Sequence, residues 1–396
     1  MKEVVLTAAA LMIAFPAFAQ DEVATAAPSP AEIIKTAPQG DWSVIAPEDL
    51  LVMTLAPDAD GNERKVIIQL MPPPFSQGWV ENIRTLARAQ WYDGISVNRV
   101  QDNYVVQWGD PNYDNPESGG NAKPLPDTLR TMREGEYVAV QNGWGDITEL
   151  SEALERGAIL NASDAPRAPR QSGAEKRSFE AYAEYAGFLK GWPVGFGSAY
   201  TATAGEIVIP KAVAERLIAD LEIVADLPVF GALSADEAEA ARRVAENALT
   251  SVWPVHCYGM VGVGRNYSPD TGTGAELYTV IGHAPRHLDR NIALVGRIID
   301  GMEHLSSLPR GSGALGFYTA EEADKRTPIL SIRVASDLPE GARPQFEYLS
   351  TESGTFARYA EARANRRDPF FIVPAGGADI CNIPVPVRAI EDADKE

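Results

Sequence analysis

The sequence predicts a mainly β fold with helices, and three observations support that class. Two apolar runs, residues 50–55 and 65–71, are dense in Val, Ile, Leu and Met, and a Pro-Asp-Ala-Asp-Gly-Asn turn separates them. Ser76 then begins a pattern that places apolar residues on one face of a helix. Two more β-type runs follow at residues 95–99 and 104–107. The predicted order is therefore strand, strand, helix, strand, strand.

The later part of the chain continues the β pattern after a long intervening segment. Strands are predicted at residues 255–263, 276–281, 293–299 and 329–334, and helices from residue 300 and over residues 355–366. The segment between the two parts, residues 124–250, is predicted as a largely helical insertion. Its predicted elements are helices at 147–156, 210–221 and 235–249, a linker at 163–176, and a strand near 192–196 that returns to the main sheet.

Residues 1–19 have the features of a secretory signal peptide. Lys2 gives a positive start, residues 4–15 are apolar, and Ala17-Phe18-Ala19 fits a cleavage site. An uncleaved N-terminal anchor is the alternative, although the apolar run is short for a bilayer span of about 20 residues. Residues 20–47, rich in Ala, Pro and Ser, are predicted as a flexible leader. We therefore expect an exported, periplasmic protein with no integral membrane segment.

The net charge excludes one class of partner, and the cysteine content bears on the compartment. Acidic residues outnumber basic ones 55 to 35, for a net charge of −20. This argues against a nucleic-acid partner, because phosphate binding needs a basic face. The two cysteines, Cys257 and Cys381, predict a disulfide in an oxidising compartment, with one buried and one exposed thiol as the alternative.

One short stretch carries more functional information than the rest of the chain. An arginine on an alternating segment is followed by an aromatic residue, a glutamine and a Gly-Asp pair in Arg99-x4-Tyr104-Val105-x-Gln107-x-Gly109-Asp110. This spacing resembles the signature segment of the cyclophilin-type peptidyl-prolyl cis/trans isomerases. Residues 256–264, 271–278 and 287–297 resemble three later conserved stretches of the same family, in the same order and with similar turn residues.

The resemblance implies a closed antiparallel β-barrel capped by helices. The barrel domain would cover residues 48–338, interrupted by the insertion at about 124–250, and residues 339–396 would form a C-terminal extension. It also implies that no cofactor is needed. A metal site is not expected either, since Pro285 disfavours a helix between His283 and His287.

Catalysis is assigned by the resemblance to Arg99 and Gln107. Arg99 would donate a hydrogen bond to the prolyl nitrogen of the twisted amide, and Gln107 would orient Arg99. The residues expected to bind the substrate and its proline ring are Tyr104, Val105, Val261, Gly262, Glu276, Tyr278, His287 and Leu288.

Several of these positions depart from the family pattern. Ile292 stands where many members have a histidine, His287 replaces a tryptophan, and Glu276 replaces a glutamine. Asn98 replaces the histidine before the arginine, and tyrosine twice replaces phenylalanine in the pocket. These changes bear on turnover and on which ligands bind.

The resemblance implies a peptidyl-prolyl isomerase that acts on proline-containing segments of unfolded or exported proteins. A second hypothesis is a non-catalytic module that binds proline peptides as a chaperone or envelope adaptor. A third gives the insertion its own, unknown protein partner, with the barrel as scaffold.

Overall fold

A computed structural model describes residues 27–112, 120–140, 182–183, 185–198, 201–203, 206–208 and 250–390. The predicted signal peptide, the linker and the helices at 147–156, 210–221 and 235–249 lie outside these residues. Seventeen strands are described: β1 (Trp42–Val44), β2 (Leu50–Leu55), β3 (Arg64–Leu70), β4 (Ser96–Val100), β5 (Val105–Gly109), β6 (Ala139–Val140), β7 (Tyr185–Leu189), β8 (Trp192–Ser198), β9 (Thr201–Thr203), β10 (Glu206–Val208), β11 (Thr250–Pro254), β12 (Met260–Val263), β13 (Leu277–Val280), β14 (Leu294–Asp300), β15 (Ile329–Val334), β16 (Phe346–Leu349) and β17 (Val387–Ala389).

The described α-helices are α1 (Pro30–Lys35), α2 (Gln77–Arg88), α3 (Glu303–Ser306) and α4 (Gly354–Ala364). Among the short 3-10 turns, Arg286–Leu288 and Ile380–Asn382 lie near the candidate site. None of the helices in the described part of the chain is long and apolar enough to cross a membrane.

Eight strands form the predicted antiparallel barrel, in the order β15-β2-β3-β14-β12-β13-β5-β4. The two end strands approach each other and nearly close the cylinder. The amide of Val97 donates to the carbonyl of Thr327 at 2.9 Å, and the amide of Ile329 donates to the carbonyl of Ile95 at 2.8 Å. These bonds pair edge groups that would otherwise be open to other chains. The predicted strands at residues 50–55 and 329–334 are confirmed at the same boundaries.

Helix α2 covers one end of the barrel and fixes the loop that leads into β13. Its apolar face is buried, as predicted, and the indole of Trp79 donates to the carbonyls of Thr271 and Gly272 at 3.0 Å. The Asn82 amide donates to the carbonyl of Thr273 at 3.0 Å. These bonds satisfy buried carbonyls of an irregular loop, which would be costly to leave unpaired. Helix and loop together set the position of Glu276 and Tyr278.

The described part of the insertion is β rather than helical. Strands β6, β11, β8 and β7 form a separate antiparallel sheet in that order. The strand predicted near residues 192–196 exists as β8, but its place in the barrel was wrong, because it pairs with β7 and β11. The strand predicted at 255–263 is shorter than expected: only β12 (Met260–Val263) is a strand of the barrel, and β11 ends before the predicted range, at Pro254. Pro254 lacks the N–H that a central strand needs.

The segment before the barrel is ordered from residue 29 onward, so its prediction as a flexible leader was wrong there. Ser29 caps α1 through a reciprocal capping box with Glu32. Ile33 and Trp42 are buried in the core, and β1 pairs with β16 of the C-terminal extension. The composition suggested a linker, but single apolar residues among Ala and Pro are enough to anchor it. The two ends of the chain thus form one sheet, β1-β16-β17.

The C-terminal extension is also joined covalently to the rest of the protein. Cys257 and Cys381 form a disulfide, with Cα atoms 5.1 Å apart and a sequence separation of 124. Cys257 lies between β11 and β12, and Cys381 lies in the Ile380–Asn382 turn. The bridge therefore fastens the extension beside the start of β12, which carries part of the candidate site.

Candidate active site

The central residues of the candidate site form one cross-strand row. Arg99 on β4 is paired with Gln107 on β5, Gln107 with Tyr278 on β13, and Tyr278 with Gly262 on β12. On the other side of β4, Arg99 forms an isolated antiparallel bridge with Phe317. Directly opposed residues in neighbouring strands point to the same face of the sheet. Four positions that are far apart in sequence are thereby placed side by side.

The Arg99 guanidinium is held by three acceptors. Its Nε donates to the carbonyl of Leu315 at 2.7 Å, and its Nη1 donates to Oε1 of Gln107 at 3.2 Å. Its Nη2 donates to Oε1 of Gln101. Because a guanidinium has five N–H donors, two remain that no described residue engages.

Two aromatic rings flank Arg99 and complete its environment. The Cζ atom lies 5.6 Å from the ring centroid of Tyr104 and 5.6 Å from that of Phe317. Partial burial lowers the pKa of Arg99, but an arginine remains charged throughout the physiological range. The site therefore presents a fixed, permanently charged donor.

A small apolar cluster lies on the sheet beside this donor, and we refer to it as the proline pocket. Val105, Tyr278 and Val280 form a buried cluster, and Tyr104 and Ile292 pack against it. Apolar walls with one fixed donor at the rim are suited to a small ring that carries a nearby acceptor. Ile292, in place of the family's histidine, makes this pocket more apolar.

Glu276 lies next to the row rather than in the pocket. Its side chain packs against two glycines: a Cβ on Gly109 would lie 2.0 Å from the carboxylate, and one on Gly264 would lie 2.8 Å from the Glu276 Cβ. Its Oε1 accepts a hydrogen bond from the amide of Asp110 at 2.9 Å. The bond ties the start of β13 to the end of β5, which is a supporting role.

The remaining predicted substrate residues are placed less closely together. Val261 is buried in the main barrel core, so its side chain packs away from the pocket cluster. His287 is exposed and Leu288 half-buried, both on the Arg286–Leu288 turn, and Leu288 is not part of the cluster around Tyr278. Asn98 is buried and donates to the carbonyl of Gly109 at 3.1 Å, which places it inside the sheet beside Arg99.

Sequence reasoning missed three groups that contact Arg99. Gln101 lies two residues along the same strand face, and period-two spacing could have identified it. Leu315 and Phe317 come from a loop more than 200 residues later, where Gly-Ser-Gly-Ala-Leu-Gly-Phe carries no recognisable signal. His256, whose Nε2 lies 2.8 Å from the Tyr278 hydroxyl, was covered only as the first residue of the stretch 256–264.

Comparisons with known proteins give a matching family model and similar solved structures. The model of the family described as cyclophilin type peptidyl-prolyl cis-trans isomerase/CLD matches residues 73–172, which include Arg99, Tyr104 and Gln107. No curated protein matches the sequence.

Two solved structures are similar to different degrees. Cyclophilin AquaCyp293 from Hirschia baltica is 18% identical with a TM-score of 0.51, covering 89% of this chain and 95% of that one. A Cryptosporidium parvum cyclophilin type peptidyl-prolyl cis-trans isomerase, solved in the presence of the dipeptide ala-pro, is 8% identical with a TM-score of 0.30, covering 71% of this chain and 97% of that one. The first shows that the two proteins share a fold. The family model, which matches about a quarter of the chain, and the shared fold make this chain similar to the cyclophilin-type peptidyl-prolyl cis-trans isomerases.

Proposed function

We propose that the protein is a peptidyl-prolyl isomerase that rotates Xaa–Pro bonds in exported proteins and thereby assists their folding. The observation that carries the proposal is the Arg99 guanidinium, which is fixed by Leu315 and Gln107 beside an apolar cluster and has two N–H donors that no described residue engages. No bond is broken in this reaction, so the site needs no nucleophile and no proton transfer.

The chemistry requires a donor that acts only on the twisted amide. Rotation about the peptide bond is opposed by amide resonance, with a barrier of about 18–20 kcal/mol. As the bond twists, the prolyl nitrogen becomes pyramidal and its lone pair becomes localised on the nitrogen. A guanidinium placed at that nitrogen binds the twisted state better than the planar one, which is the condition for catalysis.

The other residues of the row support this step. The carbonyl of Gln107 and the carbonyl of Leu315 hold the guanidinium in one orientation, so less entropy is lost when the substrate binds. The proline ring would enter the cluster of Val105, Tyr278 and Val280, and Tyr104 and Ile292 would cover its edges.

Two features support an extracytoplasmic setting. The first 19 residues have the pattern of a secretory signal, and Cys257 and Cys381 are joined in a disulfide, which persists in oxidising compartments. The proposed location is the periplasm, and the proposed partners are extended proline-containing segments of proteins that fold there.

The rival function is binding of proline-containing chains without useful turnover. The observation in favour of this function is that Ile292 packs against the pocket. A more apolar pocket can hold a planar proline as well as a twisted one. Uniform binding of both states would give affinity without catalysis.

The deciding experiment compares the mature protein with its Arg99→Ala variant on a proline tetrapeptide. We expect clear catalysis by the wild type and a loss of at least about 100-fold in kcat/KM in the variant, because the removed interaction belongs to the transition state. Arg88→Ala, which removes a surface arginine paired with Glu48 and Asp337, is the matched control and should retain activity. If the folded wild type binds the peptide but does not accelerate rotation, the binding function replaces the isomerase.

The location is tested separately from the activity. The first 30 residues are fused to a reporter enzyme that is active only after export, and the N-terminus of the exported product is sequenced. Reporter activity with a new terminus at Gln20 supports export; a product retained in the cytoplasm contradicts it.

A further inference from the structure

Behind the proline pocket, four side chains form a continuous buried chain of hydrogen bonds. Nε2 of His256 lies 2.8 Å from the Tyr278 hydroxyl, and Nδ1 of His256 lies 2.9 Å from Oδ1 of Asp289. Nε of Arg286 donates to Oδ2 of Asp289 at 2.7 Å. All four side chains are at least 95% buried. The chain begins at the pocket wall and ends at the turn that carries Leu288.

The direction of each hydrogen bond follows from the chemistry of the groups. The Asp289 carboxylate only accepts, and it receives the Arg286 N–H together with the amide of His256 at 2.9 Å. Nδ1 of a neutral His256 must then carry the proton that points to Asp289. Its Nε2 is left as an acceptor, so the Tyr278 hydroxyl donates to it. Tyr278 is thus held by a histidine of one defined tautomer.

The ring of Tyr278 has little freedom to move away from this bond. It lies nearly parallel to the His256 ring, with a centroid distance of 6.4 Å and an interplanar angle of 9°, so the hydrogen bond joins the two rings edge to edge. A Cβ on the opposing Gly262 would lie 2.4 Å from its hydroxyl oxygen. The hydroxyl therefore fills the space that a side chain at position 262 would take, and His256 provides its partner there.

We propose that His256, oriented by Asp289, is a positioning residue that holds the Tyr278 ring in the proline pocket, and that protonation of His256 weakens substrate binding. This inference rests on the proposed isomerase function and deepens it. Once protonated, both ring nitrogens of His256 donate. The Tyr278 hydroxyl would then have to turn and accept, and its proton would lose Nε2 of His256, which is its hydrogen-bond partner among the described residues.

The charges around His256 decide when this happens. Asp289 favours the protonated ring, whereas Arg286 and the neighbouring His287 oppose it. Asp379 of the C-terminal extension lies 3.9 Å from Arg286, and the Cys257–Cys381 bridge adjoins His256 without adding charge. Burial outweighs the other effects and lowers the pKa of His256 below its usual 6.5. Tyr278, whose pKa burial raises, stays neutral throughout. The effect is therefore expected on the acid side of about pH 6.5.

The test compares the pH profile of tetrapeptide isomerisation in the wild type, Tyr278→Phe and His256→Gln. At neutral pH, Tyr278→Phe should raise KM about two- to tenfold with kcat nearly unchanged, as expected for the loss of one hydrogen bond. On acidification, the wild-type kcat/KM should fall toward the Tyr278→Phe value, whereas the Tyr278→Phe profile stays flat. His256→Gln offers a neutral acceptor that does not titrate. It should retain most of the activity at neutral pH and should not show the fall in kcat/KM at low pH, here called the acid limb.

A purely structural role for His256 would not move the profile in this way. His304→Gln, on α3 and away from the pocket, is the control and should keep the wild-type acid limb. An acid limb that persists in both Tyr278→Phe and His256→Gln would overturn the proposal.

A second measurement does not depend on activity. Nitrogen NMR of ring-labelled histidine should show His256 as the Nδ1–H tautomer with Nε2 accepting a hydrogen bond, and Tyr278→Phe should shift the Nε2 resonance. A proton on Nε2 at neutral pH would refute the positioning role even in a protein without turnover. If instead the tautomer is as expected but catalysis is absent, the proposed isomerase function fails and the pocket geometry stands.

Discussion

Gly262 on β12 and Tyr278 on β13 face each other as a register pair, and the tyrosine ring occupies the space above the glycine. A Cβ at position 262 would lie 2.4 Å from both Cζ and the hydroxyl oxygen of Tyr278. The cyclophilin pattern that the chain resembles has asparagine and phenylalanine at these positions. The two departures are therefore linked: a ring held this close to β12 by His256 is accommodated because residue 262 has no side chain.

Gly262→Ala should consequently damage the pocket. The added methyl group must push the Tyr278 ring away from Gly262 and strain its bond to His256, and overpacking of this kind costs about 1–3 kcal/mol. We expect a fall in kcat/KM of about tenfold or more, together with a lower Tm. Gly341→Ala is the matched control, because a Cβ there meets nothing within 4 Å. A fully active Gly262→Ala protein would show that the ring is free to shift.

Gln107→Leu should weaken catalysis without weakening the fold. Leucine has a similar size but removes the carbonyl that accepts from Nη1 of Arg99 at 3.2 Å, so the guanidinium loses one of its three anchors. A hydrogen bond to a charged group contributes about 1.5–3 kcal/mol, and we expect kcat to fall by roughly tenfold or more. The measurement is tetrapeptide kinetics beside thermal unfolding. Gln345→Leu, an exposed glutamine, should leave kcat unchanged; an equal fall in both variants would contradict a specific role for Gln107.

Removal of the Cys257–Cys381 bridge should destabilise the protein more than it impairs catalysis. The bridge closes a loop across 124 residues and so restricts the unfolded chain considerably. Its loss should lower the free energy of unfolding by about 2–4 kcal/mol. Urea unfolding of the Cys257→Ser/Cys381→Ser double variant should match that of the reduced wild type, and reductant should not change the variant further. Unchanged stability on reduction would mean that the β1-β16-β17 sheet alone holds the extension.

Arg297 is expected to stabilise the packing of the barrel against the insertion and the C-terminal extension, because it contacts all three. It lies on β14, its Nε donates to Gln69 Oε1 at 2.8 Å, and its Nη1 donates to the carbonyl of Gly191 at 2.8 Å. Its Cζ lies 4.5 Å from the Trp192 ring centroid and 6.0 Å from that of Tyr348. Burial lowers the pKa of Arg297 to about 10, which leaves it charged at neutral pH.

Arg297→Ala should leave both acceptors unpaired and create a cavity, at a cost of about 2–4 kcal/mol. We expect faster hydrogen exchange at the turn between β7 and β8, where Gly191 and Trp192 lie, with little change in tetrapeptide turnover. Arg367→Ala removes an exposed arginine and is the control. Equal exchange at this turn in the two variants would show that the second sheet is held by other contacts.

The sequence predicted the barrel better than its surroundings. Strands such as β2 and β15 carry dense β-branched and aliphatic runs bounded by turn residues, so local pattern alone placed them correctly. The prediction of a flexible leader was wrong because a capping box stabilises α1 and two residues, Ile33 and Trp42, are buried. Strand β1 also pairs with β16 of the distant extension. The prediction for β8 was wrong for a different reason. The local pattern identified the strand correctly, but its pairing partners depend on the whole chain.

For the candidate site too, the sequence predicted residues that lie close together in the chain and missed residues from distant segments. Fixed spacing identified Arg99, Tyr104 and Gln107, because Arg99 and Gln107 lie on two neighbouring strands and Tyr104 lies in the short turn that joins them. Phe317 and Leu315 reach Arg99 from a loop without any signature, so no local reading could have found them. His256 entered the prediction only as part of the stretch 256–264, whereas its side chain contacts Tyr278 and Asp289, 22 and 33 residues away.

The stability of the fold should also depend on the protonation of His256. Burial lowers its pKa in the folded protein, while the unfolded chain has a pKa near the usual value of about 6.5. At higher pH neither state binds the proton. As the pH falls through about 6.5, the unfolded state takes up a proton that the folded state resists, so the free energy of unfolding decreases until the folded pKa is passed. Urea midpoints measured from about pH 8 to 5 should fall more steeply in the wild type than in His256→Gln, which has no titrating ring at this position. His304→Gln should follow the wild-type curve. Parallel curves for the wild type and His256→Gln would show that the buried ring takes up its proton as readily in the folded protein as in the unfolded chain.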